Sequence, residues 1–167
     1  HIVSKLGLTK GTIDSMPPSI RLVSAEIMDA AAGPTAAALS AAGFSPAGAW
    51  NIFELPKIRV ALMVHPSENF LAAIETASPI GAQVNVHTLY SNGTVVTYTN
   101  SRMPAPKAHP PGWTSVRMPG ASPGALLSRA RAERPRGGIS PVAPEKAAEI
   151  YERLYSESIL YRKAQGC

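Results

Sequence analysis

The fold of this chain is decided by residues 83–100, QVNVHTLYSNGTVVTYTN. Apolar and polar residues alternate through 83–90, as they do in a strand that buries one face. Residues 94–100 are rich in β-branched side chains, which favour strands. Between the two segments lies Asn92-Gly93, the strongest short-range signal for a two-residue type I′ turn. The sequence therefore predicts an antiparallel hairpin as the central feature of the fold.

Further strands are predicted upstream of this hairpin. Residues 48–55 form the first one, and residues 70–77 fit either a strand or a helical turn, of which we favour the strand. In residues 57–65 the side chains alternate between two faces. One face carries Ile58, Val60, Leu62 and Val64, and the other carries Arg59, Ala61, Met63 and His65.

Four helices are also predicted. Apolar residues recur every three or four positions from Ser19 towards Gly33, and an Ala-rich helix follows at 34–42. A third helix begins after the N-cap Ser122 and ends before Pro135. A long helix covers 145–165, with acidic residues in its first half and basic residues in its last turn, as the helix dipole favours.

These elements predict an α+β fold. We expect an antiparallel sheet of about 4–5 strands, N-terminal helices, a long C-terminal helix and Pro-rich loops. A chain of 167 residues fits one domain. Residues 1–18 read as an N-terminal arm and residues 19–167 as a single domain. Prolines recur through 101–121, which predicts a long loop without a helix or a central strand.

Charge is scarce and mostly scattered. Charged residues make up 16% of the chain, against roughly 25% in typical soluble domains, which indicates a surface partly covered by a partner. The net charge of +5 suits an anionic partner. Possible partner contacts are a cluster of arginines and two residues upstream of it: Arg129, Arg131, Arg134, Arg136, Trp113 and Arg117.

Three interpretations of the arginine cluster stay open. The simplest is a solvated helix end. The second is contact with the acidic surface of a protein subunit, and the third is contact with an anionic surface such as lipid headgroups. Nucleic acid is disfavoured because no aromatic residues alternate with the arginines.

The chain contains no segment that could span a bilayer, since its longest apolar runs are about five residues and a span needs about 20. It begins at His1, so we expect that an upstream anchor or signal has been lost or replaced, and the compartment stays open. Cys167 is the only cysteine, which excludes an internal disulfide.

No catalytic or cofactor signature is present. The chain lacks Gly-x-Ser-x-Gly, a Walker loop and a strand-linked Gly-x-Gly-x-x-Gly. Its histidines do not have the spacing of a metal site, and we predict no cofactor and no metal. One possibility stays open: if their strands pair suitably, a ligand face could form from Arg59, His65, Asn85 and His87.

Several short runs carry a resemblance to known sequences. They are GFSPAGAW at 43–50, RVALMVHP at 59–66, YSNGT at 90–94, TNS at 99–101, RMPG at 117–120 and YRK at 161–163. In these runs the chain resembles uncharacterised proteins of high-GC bacteria, to which no activity is assigned. The resemblance implies a bacterial origin and, as in other such proteins, a hydrophobic segment upstream.

The sequence is therefore compatible with two functions. The leading one is a non-enzymatic accessory or scaffolding protein that docks onto a larger bacterial assembly, at a membrane or away from one, through its Pro-rich arms and helical faces. The alternative is a small-ligand-binding protein or a hydrolytic enzyme with a pocket on the face of Arg59, His65, Asn85 and His87.

Overall fold

In the computed structural model, which describes residues 13–166, these residues form seven strands and three α-helices. The strands are β1 (Leu22–Ser24), β2 (Ser45–Ile52), β3 (Arg59–His65), β4 (Phe70–Ala77), β5 (Gly81–Leu89), β6 (Val95–Thr99) and β7 (Trp113–Arg117). The helices are α1 (Gly33–Ala41), α2 (Pro123–Glu133) and α3 (Ala147–Ala164), and short 3₁₀ turns cover Ile13–Ser15, Ala30–Ala32 and Pro144–Lys146. The α+β class predicted from the sequence is confirmed.

All seven strands belong to one sheet, in the order β1 to β7. Neighbours from β1 to β6 are antiparallel, whereas β7 runs parallel to β6. The prediction of 4–5 strands in a purely antiparallel sheet was therefore too low in number and wrong for β7. The segment 101–121 is rich in proline, but residues 113–117 contain none. These residues can therefore form β7 at the edge of the sheet, where a strand needs hydrogen bonds on one side only.

The central hairpin is confirmed, but its turn is not the predicted two-residue type. The Gly93 N–H donates to the Tyr90 carbonyl (2.9 Å), and the Tyr90 N–H donates to the Thr94 carbonyl (3.0 Å). Gly93 has φ +86° whereas Asn92 does not have a positive φ, and a type I′ turn needs both. The loop has three residues, with a turn followed by a left-handed glycine.

The helix predicted from Ser19 towards Gly33 does not form, since the segment contains β1 and a 3₁₀ turn instead. Leu22 pairs with Ile52 of β2, and Ile20 is buried. Spacing by three and four residues does not distinguish an amphipathic helix from a short strand followed by a turn. Residues 22–24 form a strand because they pair with β2.

The sheet buries both of its faces, because helices pack on each side. On one side, α1 and α2 cover a core that we call the α1/α2 face: Ala61, Met63, Phe70, Ala72, Ile74, Val84, Val86 and Tyr98 with Leu39, Leu126 and Leu127. On the other, α3 covers the α3 face: Val60, Leu62, Val64, Leu71, Ala73, Leu89 and Val95 with Tyr151 and Leu154. This explains the apolar character of β3 and β4, in which alternate residues enter different cores.

The described end of the predicted arm contacts α3. Ile13 is buried, the Tyr155 hydroxyl donates to the Pro17 carbonyl (2.9 Å), and Lys163 Nζ donates to the Asp14 carbonyl (3.0 Å). The rest of the arm, residues 1–12, lies outside the described residues.

Candidate functional site

The predicted ligand face is divided between the two sides of the sheet. β4 lies between β3 and β5, with His65 paired to Phe70 and His87 paired to Leu71. Since neighbouring residues of a strand point to opposite sides, Arg59 and His65 belong to the α1/α2 face, whereas Asn85 and His87 belong to the α3 face. These four residues therefore do not line one pocket.

His65 is enclosed by the protein and holds the β3–β4 turn. It is 8% exposed, and its ring lies edge-on to that of Phe44 at 5.2 Å. Its Nδ1 accepts the Glu68 N–H (3.1 Å). The proton is consequently on Nε2, which lies 3.1 Å from Glu68 Oε1 and donates to that carboxylate.

Two of the arginines predicted to contact a partner bind groups of their own chain instead. Arg131 donates to both carboxylate oxygens of Glu68, at 2.7 to 3.0 Å, and this hydrogen bond is the main reason that the pKa of Glu68 is lowered. The Arg134 guanidinium lies 3.7 Å from the centre of the Phe70 ring. It also donates to the Glu68 carbonyl (2.7 Å) and to Thr88 Oγ1 (3.1 Å). Both arginines thus tie α2 to the β3–β4 turn.

The other predicted partner residues are separate from one another. Arg129 forms an exposed pair with a glutamate one turn along α2 (2.8 Å). Trp113 is half-buried against the core of the α3 face. Arg117 donates to two backbone carbonyls in the loop at 101–103. Only Arg136 of the six is both exposed and without a hydrogen bond or ion pair within the described residues.

Asn85 and His87 belong to a polar area on the α3 face. The register places His87 beside Thr97 and Thr97 beside Ser115, so that one row crosses three strands. The next row contains Asn85, Thr99 and Arg117. Sequence alternation predicted the polar side of β5, but the contribution of β7 required knowledge of the parallel pairing.

The groups of this polar area largely satisfy one another. Asn85 Nδ2 donates to Glu75 Oε1 (2.8 Å), and the Tyr151 hydroxyl donates to Glu75 Oε2 (2.5 Å). Burial raises the pKa of Tyr151 well above its usual value. His87 Nδ1 lies 2.7 Å from Thr97 Oγ1, and burial lowers the pKa of His87 to about 4. The His87–Thr97 pair lacks, within residues 13–166, the third group that orients the base in nucleophilic catalysis.

The described residues contain neither a cluster of metal ligands nor a membrane-spanning helix. No group of three or more His, Cys, Asp or Glu side chains there could hold a metal ion. None of the described helices combines the length and the apolar character needed to cross a bilayer.

Arg59 lies at a partly open cavity where β3 begins and β4 ends. The cavity has a volume of about 290 Å³. Arg59 Nη1 is 3.4 Å from Asp29 Oδ2, and Asp29 Oδ1 accepts the Ala31 N–H (3.0 Å). The cavity is lined by Asp29, Pro56, Lys57, Arg59, Thr76, Ala77 and Ser78.

An exposed apolar surface lies at the edge of the sheet formed by β1. We call it the apolar corner, and it consists of Val23 (48% exposed), Ile27 (83%), Met28 (37%) and Phe53 (62%). Among the described residues, only one other large apolar side chain, Leu160, is exposed to this degree. The corner was not predicted, because the spacing of Val23, Ile27 and Met28 indicated a helix in this segment.

The apolar corner has a defined geometry. Val23 pairs with Asn51, and the Phe53 N–H donates to the Arg21 carbonyl (3.0 Å), so Val23 and Phe53 are diagonal neighbours on one face. The Arg21 guanidinium lies 4.1 Å from the centre of the Phe53 ring. Glu54 in turn accepts from Arg21 N (2.7 Å) and Nε (3.0 Å). The exposed ring is thus held in place.

Comparison with known proteins gave no match to a family model, a curated protein or a solved structure.

Proposed function

We propose that this chain is a non-enzymatic accessory protein that docks onto a protein subunit of a larger assembly through the apolar corner. The observation that carries the proposal is the exposure of four large apolar side chains in or just after the edge strands: Val23 in β1, Phe53 directly after β2, and Ile27 and Met28 in the segment that follows β1. Contiguous exposed apolar groups with polar surroundings are typical of interaction sites.

The surroundings of the corner resemble the rim of a protein interface. Arg21 and Glu54 form an ion pair beside Phe53, and Lys57 and Arg59 follow at the neighbouring cavity. Interfaces commonly combine an aromatic or aliphatic centre with a charged rim. Full burial of a Phe or Ile side chain contributes about 1.5–3 kcal/mol, so this small patch can supply a substantial share of a binding energy.

The proposed docking surface differs from the one expected from the sequence. Arg131, Arg134 and Arg117 already bind groups within the chain, which leaves them less available to a partner. The alternative function requires Arg59, His65 and His87 to line one pocket. It is less well supported, because Arg59 and His65 lie on the opposite side of the sheet from His87. The resemblance to proteins of high-GC bacteria supports a bacterial assembly.

The test uses a photo-crosslinking amino acid placed at Phe53 in the native host, with the same amino acid at Leu160 as a matched control. Leu160 is 52% exposed on α3, far along the chain from the corner. We expect a discrete adduct with another protein from position 53 only. Adding Ile27→Ser should reduce that adduct severalfold, since the substitution removes apolar contact area.

Two outcomes would contradict this proposal. One is the same set of adducts from positions 53 and 160. The other is no adduct at position 53 together with a monomeric chain in sedimentation analysis. A self-adduct that requires Ile27 would identify the partner as a second copy of this chain instead of a different subunit.

A further inference from the structure

We propose that the cavity where β3 begins and β4 ends binds a small oxyanion, namely the carboxylate or phosphate group of a small ligand. This inference is independent of the docking function proposed above. The cavity volume of about 290 Å³ is at the lower end of the roughly 300–1,000 Å³ of small-ligand sites.

The lining of the cavity is positively charged. Lys57 and Arg59 both line the cavity, against one carboxylate, Asp29, so the lining has a net charge of about +1 at neutral pH. Lys57 forms no ion pair within the described residues. The cavity therefore holds a cation whose charge is not neutralised by a neighbouring side chain.

The guanidinium of Arg59 is only weakly engaged by Asp29. Its contact with Asp29 uses a single nitrogen, Nη1, at the long distance of 3.4 Å, and its side chain is 58% exposed. Its Nε and Nη2 groups make no hydrogen bond with the described residues. A guanidinium with two free donors can bind an oxyanion in a bidentate manner.

The carboxylate of Asp29 restricts the position and the charge of an anion bound in the cavity. Its Oδ1 accepts the Ala31 N–H, and its Oδ2 faces Arg59, so both oxygens are engaged. The carboxylate nevertheless repels an anion placed close to it. We infer that the ligand binds towards Lys57, and that a singly charged oxyanion is preferred to a doubly charged one.

Thr76 lines the cavity and is 3% exposed. Its Oγ1 is buried and has no hydrogen-bond partner within the described residues. A buried hydroxyl without a partner is unfavourable and calls for an explanation. A 120° rotation about χ1 moves Oγ1 to another staggered position, and it would let the hydroxyl donate to a ligand in the cavity.

The test is a titration of the full 167-residue chain, followed by amide NMR, with inorganic phosphate in one series and acetate in the other. We expect saturable shifts of the amides at 29, 57–59 and 76–78. Lys57→Ala and Arg59→Gln should each raise the dissociation constant about tenfold, as expected for loss of a charge-assisted hydrogen bond. The series with tighter binding identifies the preferred oxyanion.

Matched controls separate a built site from general attraction to a basic protein. Lys107→Ala and Arg136→Gln each remove one exposed cation elsewhere and should leave the dissociation constant unchanged. Thr76→Val should weaken binding severalfold without lowering the denaturation midpoint, because it removes only the unpartnered hydroxyl. The proposal is overturned if neither anion gives saturable shifts, or if the control variants weaken binding as much as Lys57→Ala.

Discussion

At the scale of single residues, the buried His87 makes the stability of this protein depend on pH. Burial lowers its pKa from 6.5 to about 4, which means that the folded protein favours the neutral ring. The unfolded chain binds a proton in the window between these values and the folded chain does not. The contribution of His87 to stability is therefore present above about pH 6.5 and is lost as the pH falls towards 4.

We predict that His87→Gln makes the free energy of unfolding depend less on pH between pH 7 and pH 4. The difference in unfolding free energy between wild type and variant should shrink by about 1–3 kcal/mol between pH 7 and pH 4. Urea denaturation at a series of pH values measures it, and NMR of the ring gives the midpoint directly. A wild-type midpoint near 6.5 would contradict the expected effect of burial.

Gly43 is a residue at which no side chain fits. It has φ +99°, and a Cβ there would lie 2.7 Å from His65 Nε2. The His65 ring cannot easily move because Phe44 and Glu68 hold it. We predict that Gly43→Ala lowers the free energy of unfolding by roughly 2–3 kcal/mol.

Gly137→Ala is the matched control for that prediction. No heavy atom lies within 4 Å of a Cβ at this position, and its φ is not positive, so its effect should be within about 0.5 kcal/mol. Equal losses in the two variants under chemical denaturation would show that the clash with His65 is not the cause.

At the scale of elements, the β5–β6 hairpin is defined by the conformation of one glycine. Gly93 has φ +86°, and a Cβ there would meet no atom within 4 Å. Gly93→Ala should thus cost only the backbone strain, about 1 kcal/mol. Gly93→Asn should recover part of that loss, because Asn tolerates the left-handed region better than Ala.

The measurement is thermal or urea unfolding of both variants beside the wild type. If Ala and Asn at position 93 were equally stable, the left-handed conformation would not determine stability at this turn.

At the scale of the whole molecule, the arginines of α2 connect layers that are far apart in sequence. Arg134 joins α2 to Phe70 of β4, Thr88 of β5 and Glu68 in the β3–β4 turn. Burial lowers the pKa of this guanidinium, but its hydrogen bonds to oxygen atoms compensate for desolvation. It therefore functions as a link between the α2 layer and the sheet.

We predict that Arg134→Gln lowers the free energy of unfolding by about 2–3 kcal/mol, since it removes a cation–π contact and buried charge-assisted hydrogen bonds. Arg136→Gln, two residues further along the chain, should change it by less than about 0.5 kcal/mol. Chemical denaturation compares the two directly. If Arg134→Gln changed the free energy of unfolding as little as Arg136→Gln, the result would support a solvated helix end for the whole cluster.

By itself, the sequence determined the α+β class, the central hairpin, strands β2 to β6 and the helices α1, α2 and α3. Except for β4, whose residues fit a strand or a helical turn, these elements have strong local signals, such as the two-residue period of β3. Another such signal is the N-cap Ser122, whose side chain accepts the Ala125 N–H (3.2 Å). Local signals are read directly from neighbouring residues. Only the tertiary structure decided β1 and β7, because short strands form in response to a partner.

The candidate sites were decided by tertiary structure in the same way. Whether His65 and His87 share a face depends on β4 lying between their strands, and no local pattern contains that information. The sequence placed Arg59 on a mixed face, but the cavity beside it requires Asp29 and Thr76 from distant segments. The physical reason is that alternation fixes which side of its own strand a residue occupies, whereas strand order fixes which residues meet.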